Sequence, residues 1–318
     1  MKGVFLDLGS LDMSDLDLQG LEKTGIDWQM YQKTAATEVA ERVQGCEVVI
    51  TNKVVLDAGI ISQARQLKLI CVAATGTNNV DLKAAAAQGI TVCNVRAYGT
   101  PSVVQHVFAL LTALNTSLLD YHRDIVDGRW QQHDQFCFMD HPIRELSGAV
   151  MGIVGYGELG RGVASVAEAF GMQVLVAQRP GSEQHAADRL ALDTLLPRVD
   201  VLTLHCPLTP ETENLIGRRE LALMKDSAIL INTARGGIVD EEALAEALRS
   251  GKLGGAGIDV LLQEPPVNGN VLLSEDIPRL IVTPHIAWAS RESRQRLLNQ
   301  VIENIDSWQS GNPGRVVN

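Results

Sequence analysis

Short apolar runs alternate with helical periodicities along most of this chain. Residues 4–6, 48–50, 69–72 and 91–95 read as buried strands in the first hundred positions. Residues 149–154, 174–177, 201–204, 228–231, 256–258 and 280–282 do so later. Helical patterns over 82–88, 159–170 and 241–250 lie between such runs. Strands alternating with helices predict βαβ units and parallel sheets. Two clusters of runs predict an α/β protein of two doubly wound, Rossmann-like domains. Between the clusters, residues 102–119 (SVVQHVFALLTALNTSLL) follow Pro101 and read as one long buried helix. A last helix over 291–310 starts after Ser290, a favourable N-cap. Its return onto the first sheet would make that domain discontinuous.

Composition narrows the classes. The 318 residues are 46% hydrophobic and 20% charged, which is globular rather than disordered, collagen-like or coiled-coil. A net charge of −11 speaks against a nucleic-acid partner, because neutralising phosphates takes a basic surface. No apolar run reaches the length of a membrane span, and the acids in MKGVFLDLGSLDMSD do not suit a signal peptide. The five cysteines are scattered without a CxxC pair. They read as reduced core residues of a cytoplasmic protein, and no metal is expected.

Candidate chemistry begins at AVMGIVGYGELG, residues 149–160. A strand runs into Gly155, Tyr156, Gly157, Glu158, Leu159 and Gly160, and a helix follows. In that context GxGxxG is a dinucleotide cradle. Gly155 makes the tight turn, Gly157 admits the pyrophosphate, and Gly160 lets strand and helix pack. The helix N-terminus offers free N–H groups to the phosphates. The plainer alternative is a glycine-rich turn with no ligand. The next strand ends in Gln178 and Arg179, without the carboxylate that would receive the ribose hydroxyls of NAD. Arg179 suits a 2′-phosphate, so NADP(H), or dual use with NAD, is favoured over NAD alone. A neutral Gln178 that still bonds NAD is the competing reading.

Ligands collect at the carboxyl ends of parallel strands. Those ends carry Thr233, Ala234 and Arg235, then Asp259 with Glu264 in the following loop, then His285. Arg235 offers a fork for a carboxylate, and His285 exchanges protons near neutral pH. Glu264 is suited to orient that imidazole, and Asp259 to accept from a carboxamide. Singly, each has a plain structural reading: a turn cap, a loop acid, a satisfied histidine. Behind a dinucleotide cradle they form a set.

At these residues the chain resembles the D-isomer-specific 2-hydroxyacid dehydrogenase family. The similar stretches are GTNNVDLKAAAAQGITVCNV at 76–95, GIVGYGELG at 152–160, HCPLTPETENLI at 205–216, INTARGGIVDEEALAEAL at 231–248, GIDVLLQEPP at 257–266 and TPHIAWAS at 283–290. Within the family, TNKVVLD at 51–57, YGTPSVVQHVFALL at 98–111 and HIAWASRESRQRL at 285–297 are similar to the glycerate dehydrogenases, also called hydroxypyruvate reductases.

The resemblance implies a substrate domain of residues 1–98 plus 289–318 and a cofactor domain of 99–288, with a cleft between them and a homodimer. It implies that Arg235 binds the carboxylate and carbonyl oxygen, His285 transfers the proton, Glu264 orients His285, and Asp259 binds the nicotinamide amide. Cys206 and Pro207 join Thr233 and Ala234 on the cofactor side. Thr75 and Gly76, in the loop 74–77, and Lys53 are substrate-side candidates. Two departures matter. Gln178 stands where NAD-preferring members carry Asp. Glu264 stands where formate dehydrogenases carry glutamine, which speaks against formate.

The expected reaction is reduction of a small 2-oxoacid, hydroxypyruvate first and glyoxylate next, to the D-2-hydroxyacid. 2-Ketogluconate or phosphite is a same-fold rival, and a non-enzymatic, dinucleotide-sensing corepressor-like protein is a rival of another class. Trp130 and Trp288 either line the substrate site or simply pack.

Overall fold

The computed structural model describes residues 1–181 and 186–318. The chain divides into two compact units, Met1–Gly99 with Trp288–Asn318, and Thr100–Ala287.

The first unit holds strands β1 (Lys2–Phe5), β2 (Asp27–Met30), β3 (Val48–Thr51), β4 (Leu69–Val72) and β5 (Thr91–Cys93). All pair in parallel, in the order β2-β1-β3-β4-β5. Successive strand residues point to opposite faces, and both faces are covered. Val4, Val49, Ile70 and Val92 enter one core, while Phe5, Val48, Ile50, Leu69 and Cys71 enter the other. This is why these strands read as unbroken apolar runs. β2 carries no such run. It is an edge strand, DWQM, whose residues alternate between exposed and half-buried, and the hydrophobic pattern misses it.

The second unit holds β6 (Val150–Val154), β7 (Gln173–Val176), β8 (Val201–Leu204), β9 (Ile229–Asn232), β10 (Gly255–Ile258) and β11 (Leu280–Val282). They form a six-stranded parallel sheet in the order β11-β10-β9-β8-β6-β7. The strand order reverses between β6 and β8, the switch point where such sheets bind ligands.

The five longest helices among the described residues are α1 (Thr100–Asn115), α2 (Leu118–Val126), α3 (Glu158–Ala169), α4 (Glu241–Arg249) and α5 (Arg291–Gln309). The single helix expected over 102–119 is corrected to α1 and α2, which meet at a 59° bend. Ser117 makes the break, with φ +49 and a hydroxyl that donates to the Pro142 carbonyl. α1 contacts β9, β10 and β11. Its approach depends on Gly257 in β10, where a Cβ would stand 3.0 Å from that of Leu110. Ser290 caps α5, its Oγ accepting from the Ser293 amide at 3.2 Å. Leu297, Leu298, Val301 and Ile305 of α5 pack into the core that Phe5 and Ile50 enter. Among the described residues, no single helix is long and apolar enough to cross a membrane.

Candidate active site

The cradle follows β6. Gly155 has φ +93, and a Cβ there would lie 2.5 Å from the Cys206 amide nitrogen, so only glycine fits. A Cβ at Gly160 would lie 2.2 Å from the Gly155 carbonyl oxygen, which explains how tightly α3 sits on the turn. Gly157 faces open space. It is the N-cap of α3 and brings no side chain to cap it, so the first N–H groups of the helix point into that space. Tyr156 and Leu159 are half-buried beside the cradle, and Glu158 accepts from the Thr100 hydroxyl at 2.5 Å.

Two buried polar atoms nearby have no hydrogen-bond partner among the described residues, His205 Nδ1 and Thr233 Oγ1. They follow β8 and β9 on the same carboxyl edge as the cradle. Buried polar groups are normally satisfied, and a bound dinucleotide with its ribose hydroxyls and carboxamide is the kind of group that would satisfy them. Cradle and orphaned atoms together fit a nicotinamide dinucleotide. Cys206 is buried, its thiol pushed up by burial, which suits a wall rather than a nucleophile. The turn after Pro207 is held by Thr212, whose hydroxyl donates to the Pro207 carbonyl at 2.7 Å.

Burial also pushes the His205 imidazole down to about 4 from an ordinary 6.5. The unfolded chain takes up this proton near its ordinary pKa, whereas the folded chain does not. Stability is therefore expected to fall as pH drops from 6.5 toward 4, by up to about 3 kcal/mol from this group. Thermal midpoints between pH 7.5 and 5 check this. His205→Gln should flatten that part of the profile, and an unchanged slope would be evidence against it.

Gln178 leaves β7 with its backbone amide donating to the Leu190 carbonyl at 2.8 Å, and Arg179 beside it is exposed. An acid missed in the sequence stands near. Glu211 is held below the usual carboxylate range, first by the Thr209 hydroxyl and also by the charge of Arg179. A Cβ on Gly181 would lie 2.6 Å from Glu211 Cγ.

Three adjacent strand ends carry the remaining set. After β9, Asn232 fixes the turn: its Oδ1 accepts from the Ala234 amide and its Nδ2 donates to the Arg235 carbonyl, both at 3.0 Å. Arg235 is exposed, and its Nη1 donates to the Ala234 carbonyl at 2.6 Å. Gly236 follows so closely on the next loop that a Cβ would overlap the Leu261 carbonyl. After β10, Glu264 divides its carboxylate. Oε1 accepts from the Leu261 amide at 2.9 Å, and Oε2 meets His285 Nδ1 at 2.6 Å. Glu241 of α4 braces the same loop, accepting from the Leu262 amide at 2.7 Å and from Asn270 Nδ2 at 2.6 Å. After β11 comes His285, in the left-handed region with φ +55. The structure thus brings Glu264 and His285 into direct contact, with Arg235 and Asp259 at the neighbouring strand ends.

Asp259 is 1% exposed. Its Oδ1 accepts from the Ile286 amide at 2.9 Å and the Thr283 hydroxyl at 2.5 Å, and its Oδ2 from the Ala287 amide at 2.9 Å. A carboxylate offers about four acceptor positions. Three are filled by the His285 turn.

In the first unit, Lys53 follows β3, while Thr75 and Gly76 follow β4. Buried Asp7 holds the first of these loops, accepting from the amides of Asn52 at 2.8 Å, Lys53 at 2.6 Å and Val54 at 3.2 Å. The Thr75 carbonyl accepts from Asn94 Nδ2 at 2.8 Å. Asp7 is absent from the candidates that the sequence suggests, although an acid closing an apolar strand run is a visible signal. Trp288 stands edge-on to Tyr98 at 6.2 Å, and Trp130 donates to the Phe136 carbonyl at 2.9 Å.

Comparison with known proteins agrees with this chemistry. Residues 108–287 match the family model of the D-isomer specific 2-hydroxyacid dehydrogenase, NAD binding domain. A glycerate dehydrogenase of Methylorubrum extorquens is 47% identical over 318 residues, covering 99% of this chain and 98% of that protein. A hydroxypyruvate reductase of Blautia hydrogenotrophica is 39% identical, with both chains fully covered. Among solved structures, the TT0316 protein of Thermus thermophilus superposes with a TM-score of 0.87 at 34% identity over all of both chains. The chain belongs to the D-isomer specific 2-hydroxyacid dehydrogenase family, enzymes that work with a nicotinamide dinucleotide.

Proposed function

We propose that this enzyme reduces hydroxypyruvate to D-glycerate. The observation that carries the mechanism is the 2.6 Å contact between Glu264 Oε2 and His285 Nδ1. When bound, the reduced nicotinamide supplies the hydride for the ketone carbon. His285 gives a proton from Nε2 to the carbonyl oxygen, and Glu264 holds the imidazole plane through Nδ1. Arg235 pairs with the substrate carboxylate and draws on the carbonyl oxygen. Asp259 receives the carboxamide. Lys53, Thr75 and Gly76 belong to the same reading as substrate contacts, supported by the resemblance and by their place at strand ends. The choice of hydroxypyruvate over glyoxylate is supported by the glycerate dehydrogenase and hydroxypyruvate reductase relatives.

Both dinucleotides are proposed to serve, with NADPH favoured. Gln178 removes the repulsion of an acid, and Arg179 attracts the 2′-phosphate, while Glu211 offsets part of that attraction. The test is the loss of reduced-nicotinamide absorbance on adding hydroxypyruvate, with NADPH and NADH in parallel. Faster turnover with NADPH, and a further gain in that preference for Glu211→Gln, is the expected result. Faster turnover with NADH would overturn the cofactor assignment alone. No turnover with either would overturn the substrate.

A cytoplasmic homodimer completes the proposal. All five cysteines are free. α2 buries none of its residues, and Leu118, Leu119 and Val126 on it are exposed, as are Phe136 at 90% and Met139 at 80% in the segment after it. So much apolar surface on one stretch suits a second copy of the chain. Sedimentation should give twice the chain mass, and Phe136→Lys with Met139→Lys should halve it. A monomer before substitution would refute the dimer.

A further inference from the structure

His285 is held in a backbone conformation that a histidine seldom adopts, φ +55. Such a conformation is strained and persists only where its surroundings over-determine it. The surroundings are explicit here. The His285 amide donates to the Asp259 carbonyl at 2.8 Å and to the Thr283 carbonyl at 3.0 Å. The next two amides, Ile286 and Ala287, donate to the two carboxylate oxygens of Asp259, both at 2.9 Å. The rotation of that carboxylate therefore sets the turn that carries the imidazole.

The carboxylate is itself held from the side. Thr283 Oγ1 lies 2.5 Å from Asp259 Oδ1, so its one proton goes there. The same Oγ1 is 2.9 Å from His106 Nε2, in the middle of α1. With its proton committed, the hydroxyl must accept, and His106 Nε2 must carry the hydrogen. His106 Nε2 also stands 3.6 Å from Asp259 Oδ1. An oriented chain results, from His106 through Thr283 to Asp259 and on to the amides behind His285.

We propose that His106 is a positioning residue for proton transfer, acting through Thr283 and Asp259 on the His285 turn. The proposal rests on the assignment of His285 as proton donor. Its test has two readouts. The first is hydrogen exchange of the Ile286 and Ala287 amides in the cofactor-free protein. The second is kcat and KM for hydroxypyruvate.

His106→Leu removes the donor, and His106→Gln keeps an N–H in nearly the same place. The leucine variant should exchange these two amides about tenfold faster and lose about tenfold in kcat, with KM little changed, as the loss of one neutral hydrogen bond would give. The glutamine variant should restore both. Thr283→Val and Thr283→Ser read the same link from its other end, should the leucine variant fail to fold.

Unchanged exchange in both donor-free variants, faster exchange with unchanged kcat, or a glutamine variant as impaired as leucine would each overturn the positioning role. His285→Ala run alongside separates the two assignments. Full activity there would refute the proton-donor reading itself, whatever the exchange data show.

Discussion

Replacing His285 with alanine is expected to lower kcat by roughly 10³-fold, within the range that a lost general acid produces. The affinity for the reduced dinucleotide should stay within about twofold to threefold, because the cradle after β6 is untouched. Alanine, however, also inherits a left-handed backbone at φ +55. His285→Asn is therefore the cleaner variant, since asparagine tolerates that region better than other side chains while offering no titrating group. Both variants should fail alike in turnover, and asparagine should unfold at the higher temperature. Turnover near the parent level in either would remove His285 from the chemistry. Dinucleotide binding measured by fluorescence would show whether a loss came from the reaction or from a collapsed site.

Glu264→Gln should fall between these variants and the parent. The amide can still bond His285 Nδ1, but it no longer brings a carboxylate to that 2.6 Å contact. The backbone bond from the Leu261 amide to Glu264 Oε1, 2.9 Å, should survive the change because an amide oxygen also accepts. The loop would then keep its shape, and the fall in turnover would report the loss of the carboxylate from the His285 contact.

The parts of this site that the sequence shows directly are those tied to local pattern. Arg235, Asp259 and His285 each close an apolar run, and in a parallel sheet all such ends face one edge. The glycines of the cradle announce a turn that no Cβ can enter. The parts that stay hidden depend on long-range pairing. Nothing in the spacing of His106, Thr283 and Asp259 says that they meet, because 177 positions separate the first two and a hydroxyl proton decides the direction of the bond. Glu241 reads as an ordinary first-turn acid of α4, and only the fold shows it bracing the Glu264 loop. Edge strand β2 and the break at Ser117 are hidden for related reasons. DWQM buries little, so it has no hydrophobic signature. The bend at Ser117 falls in the polar stretch Asn115, Thr116 and Ser117 of a largely apolar helical run, and it becomes visible only through its left-handed backbone and its bond to Pro142.

Replacing Arg235 with glutamine is expected to lower kcat/KM for hydroxypyruvate by roughly 10²-fold, the worth of about 3 kcal/mol of charge-assisted bonding. The turn beneath it should not change. Asn232, which is buried, holds that turn through the Ala234 amide and the Arg235 carbonyl, and neither bond uses the guanidinium. Among the described residues, the guanidinium bond that would be lost is that of Nη1 to the Ala234 carbonyl. Arg235→Lys keeps the charge and loses the planar fork, so KM for hydroxypyruvate should rise by about tenfold with a smaller fall in kcat. The decisive comparison uses a hydroxyketone that lacks the carboxylate. If Arg235 binds that carboxylate, the parent enzyme should reduce the ketone poorly, and neither substitution should make it much poorer. If Arg235 acts chiefly on the carbonyl oxygen, both substrates should lose rate by the same factor. A glutamine variant with unchanged KM for hydroxypyruvate would take the carboxylate role away from Arg235 altogether.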